Sequence, residues 1–393
     1  MYARNSRLWF YDFYVAISFV LILLLPFVHL GKSEFASISF FVFALFGAFL
    51  FLSNFSSFIK TIAGPMAPAM LMMFISGLIR QDGLLLLTDL REICTLVLLA
   101  SLAGVVDKFG VPKNCVKLFY LITLFVLAWA AIQAVDSFFI HSGRFFVPDR
   151  FYNLNYGTLS ASTFEKYGGF NRPSAAFSEP SSLGAFGLCV TYIGLSRFER
   201  RMVILGIIIT VLSMSLSSIG SLPLIVLFQY GKLTRFQRFL LIVVCTSGFF
   251  ILTARLALIF SGSDESAMVR IYYPLKVLID HWSFWGLEQD RVLMYATTLG
   301  AQSSVLNNFV LSKALLSGVY VIFLLFSIYH IFSRKFFVLF FAFCMINGSP
   351  LYYDRFMMFS CVALMAGESI LRKRSAKYIS SENHDFHYNG MLE

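Results

Sequence analysis

The sequence predicts an all-α integral membrane protein with about twelve transmembrane helices and two large loops on the outer side. Three observations predict this class. Hydrophobic residues make up 58% of the 393 residues, and charged residues only 13%. Apolar runs of about 20 residues, the length that crosses the hydrocarbon core, recur along most of the chain. Lys and Arg residues cluster at alternate ends of these runs. The runs are apolar on every face, which favours helices over the alternating strands of a barrel.

The spans follow in order when the N-terminus is placed inside. The first apolar run follows Arg4 and Arg7 as a signal sequence would, but no cleavage site of small residues follows, so we interpret it as a retained span. The predicted spans are 13–30, 35–52, 61–79, 84–106, 118–135, 181–196, 202–217, 219–230, 239–258, 309–330, 336–349 and 355–371. More than half of the 31 Lys and Arg residues then lie inside, against three in short outer loops (Lys32, Arg80 and Arg355). Both termini are therefore expected in the cytoplasm.

This topology divides the chain into six segments. They are spans 1–5 within 1–135, a first outer loop at 136–180, spans 6–9 within 181–260, a second outer loop at 261–308, spans 10–12 within 309–374 and a cytoplasmic tail at 375–393. Both outer loops are longer than ordinary connectors. They are rich in aromatic residues, which disordered segments lack. We expect them to be ordered, partly by short helices lying at the membrane surface.

Charge, cysteines and motifs narrow the function classes. The net charge of +10 reports orientation in the membrane, because no soluble basic domain is long enough to bind nucleic acid. The six cysteines show no pairing pattern and no CxxC motif. The sequence also lacks GxxxxGK[ST], HExxH and GxSxG motifs. We therefore predict no nucleic-acid partner, no cofactor and no metal.

The most informative polar stretch joins the first outer loop to the sixth span. It places Arg172 and Glu179 at the membrane surface. Pro180 suits the first turn of the following helix, which would leave Ser181, Ser182 and the helix N-terminus facing outward, where an anion is attracted. The guanidinium fork of Arg172 would suit a diphosphate. The alternative is that Arg172 and Glu179 pair with each other and hold the loop on the bundle.

The second outer loop gathers charges of both signs and several aromatic rings. Tyr272, Tyr273 and Arg291 are candidates for binding a glycan, since aromatic rings stack on sugar faces. The alternative is an interfacial helix whose aromatic rings lie at head-group level. Arg270 is the candidate for a second cation on the far end of a diphosphate.

Two outer side chains are candidates for a general base. His281 qualifies because histidine changes protonation near neutral pH. Glu179 qualifies if burial at the floor of the loop favours its protonated form. The sequence leaves both open.

Charged residues inside predicted spans are costly, so each is expected to be paired or functional. The charged positions are Asp89, Arg91, Glu92, Arg255, Lys313, Asp354 and Arg355. Asp89 and Glu92 lie at helical spacing, and they either pair with Arg91 or another span's cation or serve the function directly. Arg255 and Arg355 lie at the level where a lipid-linked phosphate would rest, so both are candidates for substrate binding.

The layout and the stretch from Arg172 to Gly184 together resemble the O-antigen polymerase (Wzy) family, within the O-antigen ligase-like group of bacterial envelope glycan polymerases. Shared features are many spans, two large periplasmic loops and an Arg-aromatic-Glu-Pro-Ser stretch leading into a span. A serine-rich turn at 215–221, for which we expect a packing role, and an Asn-Asn pair at 307–308 before Gly318 also match. Two departures concern spacing: Gly184 follows Arg172 one residue later than in some members, and Arg270 has no such glycine.

The resemblance implies a GT-C-like glycosyltransferase in the bacterial inner membrane, acting on the periplasmic face without metal or ATP. It would move a growing glycan from undecaprenyl diphosphate to the non-reducing end of a repeat unit on another undecaprenyl diphosphate. Arg172 and Arg270 would hold the donor diphosphate, Glu179 or His281 would accept the acceptor proton, and Asn308 would lie in the substrate site. The implied partners are the two lipid-linked glycans, membrane lipids and a chain-length regulator of the polysaccharide co-polymerase type.

Two alternatives stay open. An O-antigen ligase, which transfers finished glycan to lipid A core, usually carries a histidine shortly before the tenth-span asparagine, and the stretch 303–308 has none. A flippase or transporter of the same lipid-linked glycan would show paired halves with helices broken at mid-membrane. No internal repeat is evident in the sequence, and its polar residues concentrate on one side, so the enzyme is favoured.

Overall fold

A computed structural model describes six main stretches of the protein: 64–80, 113–145, 172–177, 180–229, 272–300 and 309–332, with positions 176, 178, 179 and 198 left out. Scattered positions between 83 and 97, and residues 111, 246, 268, 337 and 366, are also described. Within these residues the regular elements are helices, and no β-strand occurs. The predicted all-α fold class is confirmed for this part of the chain.

The α-helices of the described stretches are numbered in chain order and vary in length and composition. They are α1 (Gly64–Arg80), α2 (Lys113–Val135), α3 (Pro180–Arg197), α4 (Arg200–Leu212), α5 (Leu216–Gln229), α6 (Tyr273–His281), α7 (Gln289–Thr298), α8 (Phe309–Ser317) and α9 (Tyr320–Ile331). The described residues between 83 and 97 are helical as well. Helices α1 and α3 match the predicted spans closely, whereas the turn between α4 and α5 lies at 213–215, a few residues before the predicted position.

Helix α3 is the centre of the main core. All but three of its 18 residues are buried, which agrees with a helix that is apolar on every face. It packs most closely on α4, where a Cβ added to Gly187 or Gly206 would overlap the backbone of the opposite helix. The hydroxyls of Thr191 and Thr210 donate to the carbonyls of these two glycines, over 2.9 and 2.8 Å. Two Gly-xxx-Thr pairs therefore let the helices approach while their polar atoms stay bonded.

Helix α2 has the character of a membrane span. With a π-helical turn at its end (Asp136–Ile140) it forms Asn114–Ile140, the one helix among the described residues that is long and apolar enough to cross a membrane. Only 33% of its most apolar window is buried in the protein, unlike an ordinary core helix. Met66–Arg80 and Tyr320–His330 are apolar but shorter.

The prediction of one continuous helix over 309–330 is wrong. Helix α8 ends at Ser317, and α9 begins at Tyr320 after Gly318, which has a φ of +55°. Helix α9 packs in the main core through Leu324 and Ile328. The chain is therefore broken near Gly318, inside a run that was predicted as one span.

A second, smaller core explains the break. It joins Leu315 and Leu316 of α8 to Val277 of α6 and to Val292 and Ala296 of α7. The short helices predicted for the second loop are confirmed as α6 and α7. The last residues of α8 belong to the same unit instead of to a through-going span.

Two glycines form the junction between this unit and the bundle. Gly286 (φ +89°) and Gly318 (φ +55°) lie so close to the opposite chain that an added Cβ would overlap the carbonyls of Leu316 and Phe284 respectively. Two backbone hydrogen bonds join the same two segments. The N–H of Leu287 donates to the carbonyl of Leu315 (2.8 Å), and the N–H of the residue after Gly318 donates to the carbonyl of Phe284 (3.0 Å). Glycine is required here both for its φ and for the close approach.

Gly286→Ala is expected to destabilise the protein more than Gly300→Ala. Both glycines have a positive φ, which costs an alanine about 1–2 kcal/mol. The space around Gly300 is open, whereas a methyl group at position 286 would also overlap a backbone carbonyl, which adds roughly 1–3 kcal/mol of overpacking. Thermal unfolding midpoints of the two variants in detergent check this, and equal losses would contradict the close junction.

Candidate functional site

Gln133 of α2 holds the chain segment that carries Arg172. Its Oε1 accepts hydrogen bonds from the backbone N–H groups of Ser174 (2.8 Å) and Ala175 (2.6 Å), and its Nε2 donates to the carbonyl of Ala175 (3.1 Å). Nε2 also donates to the carbonyl of Phe145 (3.1 Å) in the first loop. Gln133 and Ala175 are buried, and Ala175 has a φ of +50°, which a non-glycine residue adopts only when its surroundings hold it. Arg172 therefore extends from a rigid anchor.

The guanidinium of Arg172 is exposed and lies beside the turn between α4 and α5. Its Nη1 is 3.5 Å from the carbonyl oxygen of Met214, which is a weak contact at the limit of hydrogen bonding. Among the described residues the Arg172 guanidinium makes no other hydrogen bond or ion pair, so most of its N–H groups are available to an anion.

The serine-rich turn next to Arg172 is packed and internally bonded. The hydroxyl of Ser213 donates to the carbonyl of Thr210 (2.7 Å) and accepts from the backbone N–H of Ser215 (3.2 Å). Ser218 and Ser215 share a hydrogen bond of 3.2 Å between their hydroxyls. A Cβ at Gly184 would overlap Ser218, so α3 and α5 touch at this level. These contacts agree with the packing role predicted for the serines.

Helix α3 begins at Pro180, as the sequence predicts. Ser181 is partly exposed there. Ser182 was expected to face outward, but it is fully buried because α3 is enclosed on almost every side. The starts of α3 and α5 lie together beside the turn, and Arg172 reaches that turn from outside.

Five predicted site residues lie outside the described residues. They are Glu179, Arg255, Arg270, Asn308 and Arg355. The roles proposed for them stay predictions.

The candidates of the second loop belong to the α6–α7 unit. The ring of His281 stacks face to face on Tyr295, with centroids 3.8 Å apart, and so ties α6 to α7. Arg291 pairs with Glu288 one turn away (3.2 Å), and both side chains are mostly exposed. Tyr272 is exposed, whereas Tyr273 is partly buried against the second core.

A separate cluster of four charged side chains lies buried at the broken helix. Lys313 Nζ is 2.8 Å from Asp89 Oδ1 and 2.8 Å from Glu92 Oε1, and Arg80 Nη2 is 3.1 Å from Asp89 Oδ2. Two cations and two anions balance, which is how charges tolerate burial. Of the alternatives left open for Asp89 and Glu92, the structure shows pairing with a cation of another helix, Lys313.

Arg80 was assigned to an outer loop, and its place in this cluster was not predicted. Its Nε donates to the carbonyl of Ser76 (3.2 Å), and its Nη1 donates to the carbonyl of Leu316 in the last turn of α8. The hydroxyl of Ser76 donates to the carbonyl of Trp285 (3.0 Å). Helix α1 therefore binds both the end of α8, whose last carbonyls lack helical partners, and the loop after α6.

The buried cluster around Asp89 and the exposed Arg172 differ in the chemistry that they can perform. The cations and anions around Asp89 are paired with one another in a buried region, so the cluster is suited to holding structure. Arg172 presents charge at the surface from a fixed backbone, which suits binding of a doubly charged anion. Among the described residues, no three His, Cys, Asp or Glu side chains are grouped as metal ligands.

Asp89→Asn is expected to lower the free energy of unfolding by about 3–5 kcal/mol, because it leaves two buried cations with half their negative charge. Glu288→Gln is the control, since it breaks an exposed pair and is expected to cost under about 1 kcal/mol. Denaturant unfolding in detergent measures both. A loss at Asp89 no larger than that at Glu288 would contradict the structural role of the cluster.

Comparisons with protein-family models, with curated proteins and with solved structures found no match to this chain. The family resemblance stays a prediction, and a functional assignment depends on Arg172 and its surroundings.

Proposed function

We propose that the protein polymerises lipid-linked oligosaccharide repeat units on the periplasmic face of the bacterial inner membrane. It transfers a growing glycan from undecaprenyl diphosphate to the non-reducing end of a repeat unit on a second undecaprenyl diphosphate. The observation that carries this proposal is Arg172: an exposed guanidinium on a segment that Gln133 holds rigidly against the bundle. A rigid cation at one end of a helical bundle is what a membrane-anchored diphosphate requires.

The proposal includes about twelve spans with both termini in the cytoplasm. The long apolar helix Asn114–Ile140, with most of its most apolar window facing outward, supports a membrane location. Near the end of that helix Gln133 bonds the 174–175 backbone, a few residues before α3 begins. In the proposed topology this level is the periplasmic one.

In the proposed reaction, the bond between the donor's anomeric carbon and the diphosphate oxygen breaks as the acceptor hydroxyl oxygen bonds to that carbon. Negative charge grows on the leaving diphosphate, where Arg172 and Arg270 stabilise it. Glu179, or His281 in its place, takes the proton of the acceptor hydroxyl. The arginines supply the positive charge, so the proposal requires neither metal nor ATP.

One observation favours a second candidate, a transporter of the same lipid-linked glycan. The break between α8 and α9, with four buried charges beside it, resembles the discontinuous helices that transporters use. The charges at this break are buried and paired with one another, however, whereas Arg172 is exposed. The enzyme is therefore the better supported of the two.

Reconstitution tests the proposal. Purified protein in liposomes receives its undecaprenyl-diphosphate-linked repeat unit, without ATP and with a metal chelator, and products are separated on a gel. The wild type is expected to build a ladder, and Arg172→Ala to lower the rate on the order of 10²-fold, as loss of one transition-state donor does. Arg172→Lys should be intermediate, because it keeps the charge but loses the fork.

Arg144→Ala is the matched control, since Arg144 is an exposed arginine of the same loop region and should leave the ladder unchanged. If the repeat unit crosses the bilayer without being polymerised, the transporter proposal replaces the enzyme proposal. If glycan is transferred only to added lipid A core, the activity is that of a ligase and not of a polymerase. Equal activity of the Arg172 and Arg144 variants would remove Arg172 from the site.

Gln133→Met is expected to act through Arg172. It removes the amide that bonds the 174–175 backbone, so Arg172 loses its fixed position. In a double-mutant cycle with Arg172→Ala, the two rate losses should be strongly non-additive. Additive losses would mean that Gln133 affects the reaction by another route.

A further inference from the structure

The α6 helix carries a second apolar face that its own core does not use. Its buried side, with Pro274 and Val277, packs in the second core. On the other side, Tyr272, Leu275 and Ile279 are exposed, with Ile279 exposed to 73%. These three residues recur at i, i+3 and i+7, which places them on one face of a helix.

The exposed face continues beyond the helix end. Trp282 and Phe284 follow it in the chain and are exposed to 52% and 48%. Their rings meet edge to face, with centroids 6.4 Å apart. Five large apolar side chains are thus presented together, which marks a contact surface in a stable protein. We call Tyr272, Leu275, Ile279, Trp282 and Phe284 the α6 stripe.

We propose that the α6 stripe docks into the outer leaflet of the membrane, with lipid as its partner. This inference depends on the membrane location in the proposed function and goes beyond it. Lys276 lies on the same face at i+4 from Tyr272, and it is exposed, so its aliphatic stem can lie along the acyl region while its ammonium meets anionic head groups. Tyr and Trp beside an apolar stripe are the side chains that prefer the membrane interface.

A second exposed apolar region lies near the loop that follows α6. The loop after α6 is bonded to the last turns of α1 through the hydroxyl of Ser76 and the carbonyl of Trp285. At that same end of α1, Leu78 and Ile79 are exposed. A lipid surface covers both regions at once.

A glycan fits the stripe less well. Sugar sites combine an aromatic ring with several hydrogen-bonding side chains, whereas Leu275 and Ile279 lie at the middle of this face, and the exposed carboxylate of Asp280 lies at its edge, one turn after Lys276. For Tyr272 the structure therefore favours the interfacial alternative over sugar binding. Arg291 lies on α7, outside the stripe, and stays a glycan candidate.

A fluorescent probe at single positions of the full-length protein tests the docking. Dansylalanine replaces Ile279 in the stripe, Thr297 on the exposed side of α7 as a water control, or Leu121 on the exposed side of α2 as a lipid control. Each protein is reconstituted in vesicles of phosphatidylethanolamine and phosphatidylglycerol, with or without brominated acyl chains. Emission wavelength, bromine quenching and acrylamide quenching are measured.

The proposal expects the probe at 279 to behave like that at 121, with blue-shifted emission that the brominated lipid quenches, while the probe at 297 is quenched by acrylamide. Blue-shifted emission at 279 without bromine quenching would mean that protein, such as a second copy of the chain, covers the stripe, and would overturn the proposal. Red-shifted emission at 279 with acrylamide quenching would overturn it as well. If the probe at 121 also escapes bromine quenching, the membrane location itself fails, which separates that outcome from a failure of docking alone.

Discussion

Asp89 forms salt bridges with two cations from different parts of the chain, Arg80 at the end of α1 and Lys313 within α8. All three side chains are buried. Removing such charges from water costs several kcal/mol per ion, so the pairs are tolerated only at good geometry. That geometry exists only when α1, the helical residues after 83 and α8 are all in place. Because Lys313 also pairs with Glu92, α8 is held to the helical residues after 83 at two points.

The arrangement of the α6–α7 unit follows from the position that this charged cluster gives to α8. Arg80 donates a hydrogen bond to one carbonyl in the last turn of α8, and a backbone N–H of the loop after α6 donates to another. These two carbonyls therefore have hydrogen-bond partners although the helix ends there. Gly286 and Gly318 then let the two chain segments touch. Gln133 likewise holds the first loop in place, because its buried side-chain amide is hydrogen-bonded to the backbone at 174–175. In both cases a buried polar side chain of the bundle positions an outer segment.

Much of the helical character could be predicted from hydropathy, and the start of α3 from Pro180, because both depend on local composition. Pairing of Asp89 with a cation of another helix was one of two alternatives that the cost of a lone buried charge suggested, and the sequence could not choose between them. The break at Gly318 was not predicted, because hydropathy measures how apolar a run is and not its φ angles, and the run 309–330 is apolar enough on average to suggest one span despite Lys313. Gln133 was missed for a different reason: it is one polar residue near the end of an apolar helix, and its partners are backbone atoms about forty residues away.

Arg80 and Arg172 show how burial decides the use of the same side chain. Arg80 donates to three acceptors, so its position is set by its guanidinium and little of its capacity is left for a substrate. Arg172 has its position set by its backbone, through Gln133, while its guanidinium holds only the 3.5 Å contact to Met214 among the described residues. A diphosphate could replace that contact with two charge-assisted hydrogen bonds and would not have to displace an ion pair. An arginine that binds substrate must be fixed at its backbone and open at its fork, and Arg172 meets both conditions.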